Sequence, residues 1–256
     1  SVPSIHLPNT ARLAVRAYVA TATPTGSIGT RRQDANVVAP VMASFSSRGP
    51  NKADSHVMKP DITAPGVDVI ASVSMIQATQ AEHDAILAGT LAPAPVVEPY
   101  QGTSMSSPHV AGAAALIKQA HPKWTPAMIK SALMTTATPV KLTNGVVDAN
   151  LYGYGAGHLN PKGANDPGLV YDASLADHVR FLCGAQWLAP TGPTCNAYGA
   201  INPDDLNQPS IAVTVLGTST VTRKVTNVGK ETSRYTASAN VPGFTTVVSP
   251  ATLKLP

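Results

Sequence analysis

Gly102-Thr103-Ser104-Met105-Ser106-Ser107-Pro108-His109-Val110-Ala111-Gly112 runs straight into Ala113 to Ala120, a continuous stretch of strong helix formers. The pattern predicts a helix that starts just after Ser104, with Pro108 in its early part, where a missing N–H costs least. Ala111, Gly112, Ala113, Ala114 and Ala115 are small nearly all round the helix, so it is expected to pack tightly inside the molecule. A serine at such a start is ordinarily a cap. The same position suits a nucleophile, because free backbone N–H groups and the helix dipole there favour the negative charge of an oxyanion. The third residue of Ser104-Met105-Ser106 is not glycine, which disfavours the Gly-x-Ser-x-Gly elbow of the α/β-hydrolases.

Downstream, Thr125 reads as an N-cap and Pro126 as the first residue of a second helix, with Ile129, Leu133 and Ala137 on one face at spacings of four. Tyr152 to Gly157 is a glycine-rich turn followed by Asn160-Pro161. Upstream, residues 1–20 are ambiguous, the segment from Ala11 to Ala20 reading as a strand or short helix, and residues 21–36 read as a loop. Val37 to Phe45 is expected to be a buried strand bounded by Arg48-Gly49-Pro50. Val67 to Val73 is expected to be a second, after the Ala64-Pro65-Gly66 turn, beside which Asp61 is placed to organise the turn through side-chain hydrogen bonds. Residues 75–99 hold an Ala- and Gln-rich stretch and then a Pro-rich loop. From Asn202 the character changes. Ile211–Leu216, Thr220–Asn227, Tyr235–Asn240 and Thr245–Val248 alternate in polarity between turns, as in an antiparallel β-sandwich that stops near Pro256 before closing.

The 256 residues suffice for one large or two modest domains, and 43% hydrophobic against 12% charged residues marks a globular chain. A net charge of +4 without a long basic run argues against a nucleic-acid partner. No stretch approaches the roughly eighteen apolar residues of a membrane span, so no membrane partner is expected. No cofactor or metal motif is present: the two cysteines, Cys183 and Cys195, have no metal-ligand spacing. The turn residues between them allow a disulfide in an oxidising compartment; two free thiols are the alternative. No signal-peptide pattern opens the chain, which starts on Ser1 and is expected to be a piece of something longer.

The run from Gly102 to Gly112 resembles the nucleophile motif of the subtilisin-like serine proteases, the subtilases of peptidase family S8. Other stretches carry the same resemblance. They are Ala43-Ser44-Phe45-Ser46-Ser47-Arg48-Gly49-Pro50-Asn51 and Lys59-Pro60-Asp61-Ile62-Thr63-Ala64-Pro65-Gly66. Tyr154-Gly155-Ala156-Gly157-His158-Leu159-Asn160-Pro161, Asp166-Pro167-Gly168-Leu169-Val170-Tyr171-Asp172 and Thr220-Val221-Thr222-Arg223-Lys224-Val225-Thr226-Asn227-Val228-Gly229 resemble the plant-type branch, which some bacterial members share in layout. Ser107 departs from that branch, where cysteine is common.

The resemblance implies an α/β fold: part of a subtilisin-like parallel-sheet domain, then an incomplete fibronectin-III-like sandwich. Residues 1–20 would be the tail of a protease-associated insert and the return to the catalytic domain, residues 21–201 the C-terminal part of the peptidase domain, and residues 202–256 the truncated β domain. Ser104 would be the nucleophile, its N–H part of the oxyanion hole, a polypeptide the substrate, and secretion the destination. The family's triad runs aspartate, histidine, serine along the chain. The 256 residues contain no Gly-His-Gly-Thr-His run, no aspartate motif and no oxyanion-asparagine segment. None of His6, His56, His83, His109, His121, His158 and His178 stands in a catalytic motif. The expectation is a fragment inactive alone, poorly stable without its remaining strands, and competent only if the part bearing aspartate and histidine joins it. A truncated pseudoprotease acting as a binding or regulatory module is the alternative.

Overall fold

The computed structural model describes residues 11–27, 37–73, 79–92, 96–215 and 217–256. They form two units, up to Val37 and from Val38 onward. In the first, helix α1 (Arg12–Val19) makes the segment from Ala11 to Ala20 helical, with no residue buried. Residues 1–10, including His6 and most of the insert tail, and residues 28–36, including Arg31-Arg32, lie outside the described residues.

The larger unit contains strand β1 (Val69–Val73), helix α2 (Gln80–Leu87), strand β2 (Val96–Tyr100) and helices α3 (Thr103–Ala120), α4 (Pro126–Thr135), α5 (Leu151–Tyr154) and α6 (Pro161–Ala164). These are followed by strand β3 (Leu169–Tyr171), helices α7 (Leu175–Gly184) and α8 (Pro193–Tyr198), and strands β4 (Val225–Asn227), β5 (Ser233–Thr236) and β6 (Thr252–Leu255). Its core gathers on α4. Ile129, Ala132 and Leu133 pack with Ala113 and Ile117 of α3, with Trp124, with Ala164 of α6 and with Val170 of β3. Helix α4 forms as its sequence dictates. Thr125 accepts from the Met128 N–H at 3.1 Å, and Pro126 opens the helix, where no N–H is needed. Ala137 lies beyond the end of the helix. Ser131 is fully buried there because its Oγ accepts from the Tyr171 N–H at 2.8 Å, which holds β3 against α4.

Four expectations change. Val37 to Phe45 forms no strand: Pro40 has no N–H for a ladder, and the segment makes one parallel bridge, Val41 to Lys141. Residues 69–73 do form a strand, but an exposed one, paired antiparallel with β2 rather than buried. Helix α3 is not enclosed. Ala113 and Ile117 are its buried residues, whereas Ala111, Gly112, Ala115 and Leu116 face outward, because none of the described residues covers that side. The named strands form three two-stranded antiparallel sheets, β1–β2, β3–β4 and β5–β6; the parallel relationships are the single bridges Val41 to Lys141 and Thr63 to His158. Of the sandwich expected to stop before closing, the described residues show strands β4, β5 and β6. Strand β4 spends its ladder on β3, from the other side of residue 202, with Val170 opposite Thr226, and residues 211–215 and 245–248 form no strand.

Candidate active site

Three stretches of chain meet around Thr63 and Ala64. The Thr63 N–H donates to the Gly157 carbonyl at 2.9 Å, and the Leu159 N–H donates to the Thr63 carbonyl at 2.8 Å. His158 N–H and C=O both pair with Thr138, so residues 63, 158 and 138 make a short three-chain ladder. Immediately after it, Ala64-Pro65-Gly66 lies against the start of α3. The Gly102 N–H donates to the Gly66 carbonyl at 2.8 Å. The Ser106 hydroxyl donates to the Ala64 carbonyl at 2.9 Å and accepts from the Ala64 N–H at 3.1 Å. The approach is close enough to require glycine at position 66: a Cβ there would sit 2.9 Å from the Gly102 carbonyl oxygen and 3.2 Å from the Ser106 Cβ. Gly102 itself, with φ 153° and ψ 164°, takes a conformation that residues with side chains rarely adopt.

Ser104 is therefore delivered to the first turn of α3, as its second residue rather than just before it, and it is exposed. The helix can start earlier than expected because glycine, not serine, occupies the N-cap. Among the described residues the Ser104 hydroxyl has no side-chain hydrogen-bond partner. Pro108, four residues on, has no N–H to give the Ser104 carbonyl. Next to this turn opens a cavity of about 790 Å³, lined in part by Thr63, Ala64, Thr103, Ser106, Ser107 and His158.

Five of the described histidines are engaged elsewhere. His109 Nδ1 donates to the Met105 carbonyl at 2.8 Å on α3 itself. His121 stacks on Trp124 with ring centroids 3.9 Å apart and lies 2.9 Å from the Asn165 carbonyl through Nε2. His56 lies 2.7 Å from Asp54, His83 3.9 Å from Asp84 on exposed α2, and His178 Nδ1 2.8 Å from the Ser174 carbonyl. Burial pushes the His158 imidazole below the ordinary histidine range, which favours its neutral form. Among the described residues none of these rings hydrogen-bonds to Ser104.

Asp61 does not organise the Ala64-Pro65-Gly66 turn with its side chain. The carboxylate is paired with Lys59 and, at 2.8 Å, with Lys130 of α4. Burial pushes its pKa up, but the hydrogen bonds and charges of Lys130 and Lys59 outweigh that and hold it below the usual carboxylate range. The organising side chain is Ser106, which sequence reasoning passed over; its signal was a second hydroxyl two residues past Ser104. Cys183 and Cys195 are joined in a disulfide between α7 and α8, with Cα atoms 5.6 Å apart. No group of three or more His, Cys, Asp or Glu side chains among the described residues is arranged to hold a metal. No described helix is long and apolar enough to cross a membrane.

The model of a family described as the Subtilase family matches residues 8–157, and one described as a Fibronectin type-III domain matches residues 205–256. Subtilisin-like protease SBT4.13 of Arabidopsis thaliana is 41% identical over 215 residues, covering 79% of this chain and 28% of that protein. Subtilisin-like protease SBT4.4 of the same plant is 38% identical over 251 residues, covering 92% of this chain and 33% of that protein. The chain thus spans about a third of the length of the curated relatives it matches. A solved protease structure from Pseudoalteromonas arctica aligns with a TM-score of 0.29 at 30% identity, over 41% of this chain and 28% of that one. With a subtilase model covering more than half of its length, the chain belongs to the subtilase family.

Proposed function

We infer that this chain carries the nucleophile of a serine-type endopeptidase. The observation behind the reading is Ser104: an exposed hydroxyl in the first turn of a long helix, on a start braced by Gly66 and Ala64, in a subtilase-family chain. The Ser104 Oγ attacks the carbonyl carbon of a peptide bond, and its proton passes to a general base. The carbonyl oxygen becomes an oxyanion, which the Ser104 N–H helps to hold. The C–N bond then breaks, the base returns the proton to the leaving amine, and water hydrolyses the acyl-enzyme by the same route in reverse.

The base is a histidine oriented by an aspartate, contributed by a segment joined to these residues. Loss of the serine or the histidine costs roughly a millionfold in turnover, a figure measured for subtilisin rather than for this chain. The 256 residues by themselves are therefore proposed to be inactive. Residues 21–201 would complete the peptidase domain, residues 202–256 would form the appended β domain, and residues 1–20 would return from an insert. The disulfide between Cys183 and Cys195 supports a secreted setting. The second reading, a non-catalytic binding module, draws on one observation: Ser104 has no histidine bonded to it among the described residues.

A fluorophosphonate probe separates the two. Residues 1–256 are tested alone and joined behind the aspartate- and histidine-bearing part of SBT4.13. Labelling at Ser104 and peptide turnover are expected in the joined protein, absent in its Ser104→Ala variant and absent in residues 1–256 alone. A joined, folded protein that leaves Ser104 unlabelled would favour the binding module.

A further inference from the structure

Among the described residues, Ser106 is the one side chain whose hydrogen bonds tie the first turn of α3 to another part of the chain, and it does so with both functions of its hydroxyl. It gives a hydrogen to the Ala64 carbonyl at 2.9 Å and takes one from the Ala64 N–H at 3.1 Å. A peptide group in a facing strand would pair with Ala64 in this way; here a side chain replaces it. Pro65 follows and has no N–H, so the next tie is main chain, from the Gly102 N–H to the Gly66 carbonyl at 2.8 Å. These bonds bracket Ser104 from residues 102 and 106.

The need for such a brace follows from the helix itself. In the first turn the N–H groups of Met105 and Ser106 share the Gly102 carbonyl, at 3.0 and 3.4 Å, those of Thr103 and Ser104 have no helical acceptor, and Pro108 removes one further backbone bond, the one to the Ser104 carbonyl. Ser104 thus sits where α3 is least held by its own hydrogen bonds. Gly66 lies so close to Gly102 and Ser106 that the two stretches have little room to slide.

We propose that Ser106 is a positioning residue for Ser104, setting the direction of the nucleophile through its two-way bond to Ala64. The proposal rests on the protease reading above. Ser106 acts through Ser104, because both functions of its own hydroxyl are spent on Ala64. Its effect is on the fraction of molecules whose Ser104 hydroxyl points along the attack line, where an error of about 1 Å can cost a hundredfold.

The test uses the joined protein described above, with Ser106→Ala, Ser106→Thr and Ser104→Ala variants. Three quantities are read: the rate of fluorophosphonate labelling at Ser104, kcat and KM for a peptide substrate, and exchange of the Ala64 amide. Ser106→Ala is expected to speed Ala64 exchange and to lower both the labelling rate and kcat on the order of tenfold at unchanged KM. Ser106→Thr, which keeps the hydroxyl, should restore most of both. Equal labelling rates for the unsubstituted and Ser106→Ala proteins, with Ser104→Ala unlabelled, overturn the positioning role and leave the protease reading intact. So does a Ser106→Ala protein that loses folded population but labels at the normal rate per folded molecule. No label at Ser104 in the unsubstituted protein instead sinks the protease reading, and the positioning role with it.

Discussion

His158 shows how a single residue can serve the fold while standing beside the site. Its backbone is the middle rung between Thr63 and Thr138, and the residue lines the cavity that Ser106 also lines. Burial depresses its pKa from the ordinary value of 6.5. For a base this means that the unfolded chain binds the proton more readily than the folded one. The contribution of the neutral ring is therefore present above the unfolded pKa and is lost as pH falls through the folded value. Urea midpoints at pH 7.5 and pH 5 should show the native protein losing more stability on acidification than His158→Gln. Equal losses would mean that the ring titrates as if in water. Ser106 makes the complementary point: it is half-buried and unchargeable, yet it holds two backbone groups at once.

Helix α4 is the element that organises the larger unit, and most of what starts it is local. Thr125 caps it through the Met128 N–H, and the same hydroxyl donates to the Asp172 carboxylate at 2.6 Å just past β3. One side chain thus starts the helix and fastens the end of the strand that the helix supports. Thr125→Ala removes both bonds and is expected to cost about 1–2 kcal/mol in denaturant unfolding, at the upper end for a cap. Thr125→Ser should recover most of that loss. Recovery by Ser that is no better than Ala would assign the effect to the lost methyl group. The start of this element is as expected, because a cap and a proline at the first position are decided within one turn, whereas Ala137, expected on its face, lies past its end. Strands fared differently. Residues 211–215 have the alternation of a strand but pair with nothing among the described residues, since a strand exists only where a partner presents its edge.

Across the larger unit, polar clasps besides the β3–β4 ladder hold the C-terminal segment: Arg223 ties residues 204–210 to residues 222–223, and Asn207 reaches Asp172 just past β3. The Arg223 guanidinium donates to the carbonyls of Gln208 at 2.9 Å, Asp204 at 2.7 Å, Thr222 at 2.9 Å and Ser210 at 3.1 Å. Asn207 donates to the carbonyls of Asp172 and Lys224, at 2.9 Å each, and accepts from the Lys224 N–H at 2.8 Å. A planar fork is needed to meet carbonyls in several directions, which a lysine ammonium cannot reproduce. Arg223→Ala is expected to cost about 2–3 kcal/mol and to open residues 204–210 to limited proteolysis. Arg223→Lys should recover only a minor part. Unchanged protection of that loop in Arg223→Ala would show that the β3–β4 ladder and Asn207 suffice.

Sequence alone was enough to identify the family motif around Ser104, the long helix that follows it and the capped start of α4, because each depends on residues within a turn or two of one another. It could not disclose that Ser106 clasps Ala64, that β4 pairs with β3 across residue 202, or that one side of α3 is left uncovered by the described residues. Those outcomes depend on groups far apart in the chain that come together only when the surrounding backbone groups have found their partners. Hydrogen bonding and burial at such places are properties of the assembled neighbourhood, and only the tertiary structure can decide them.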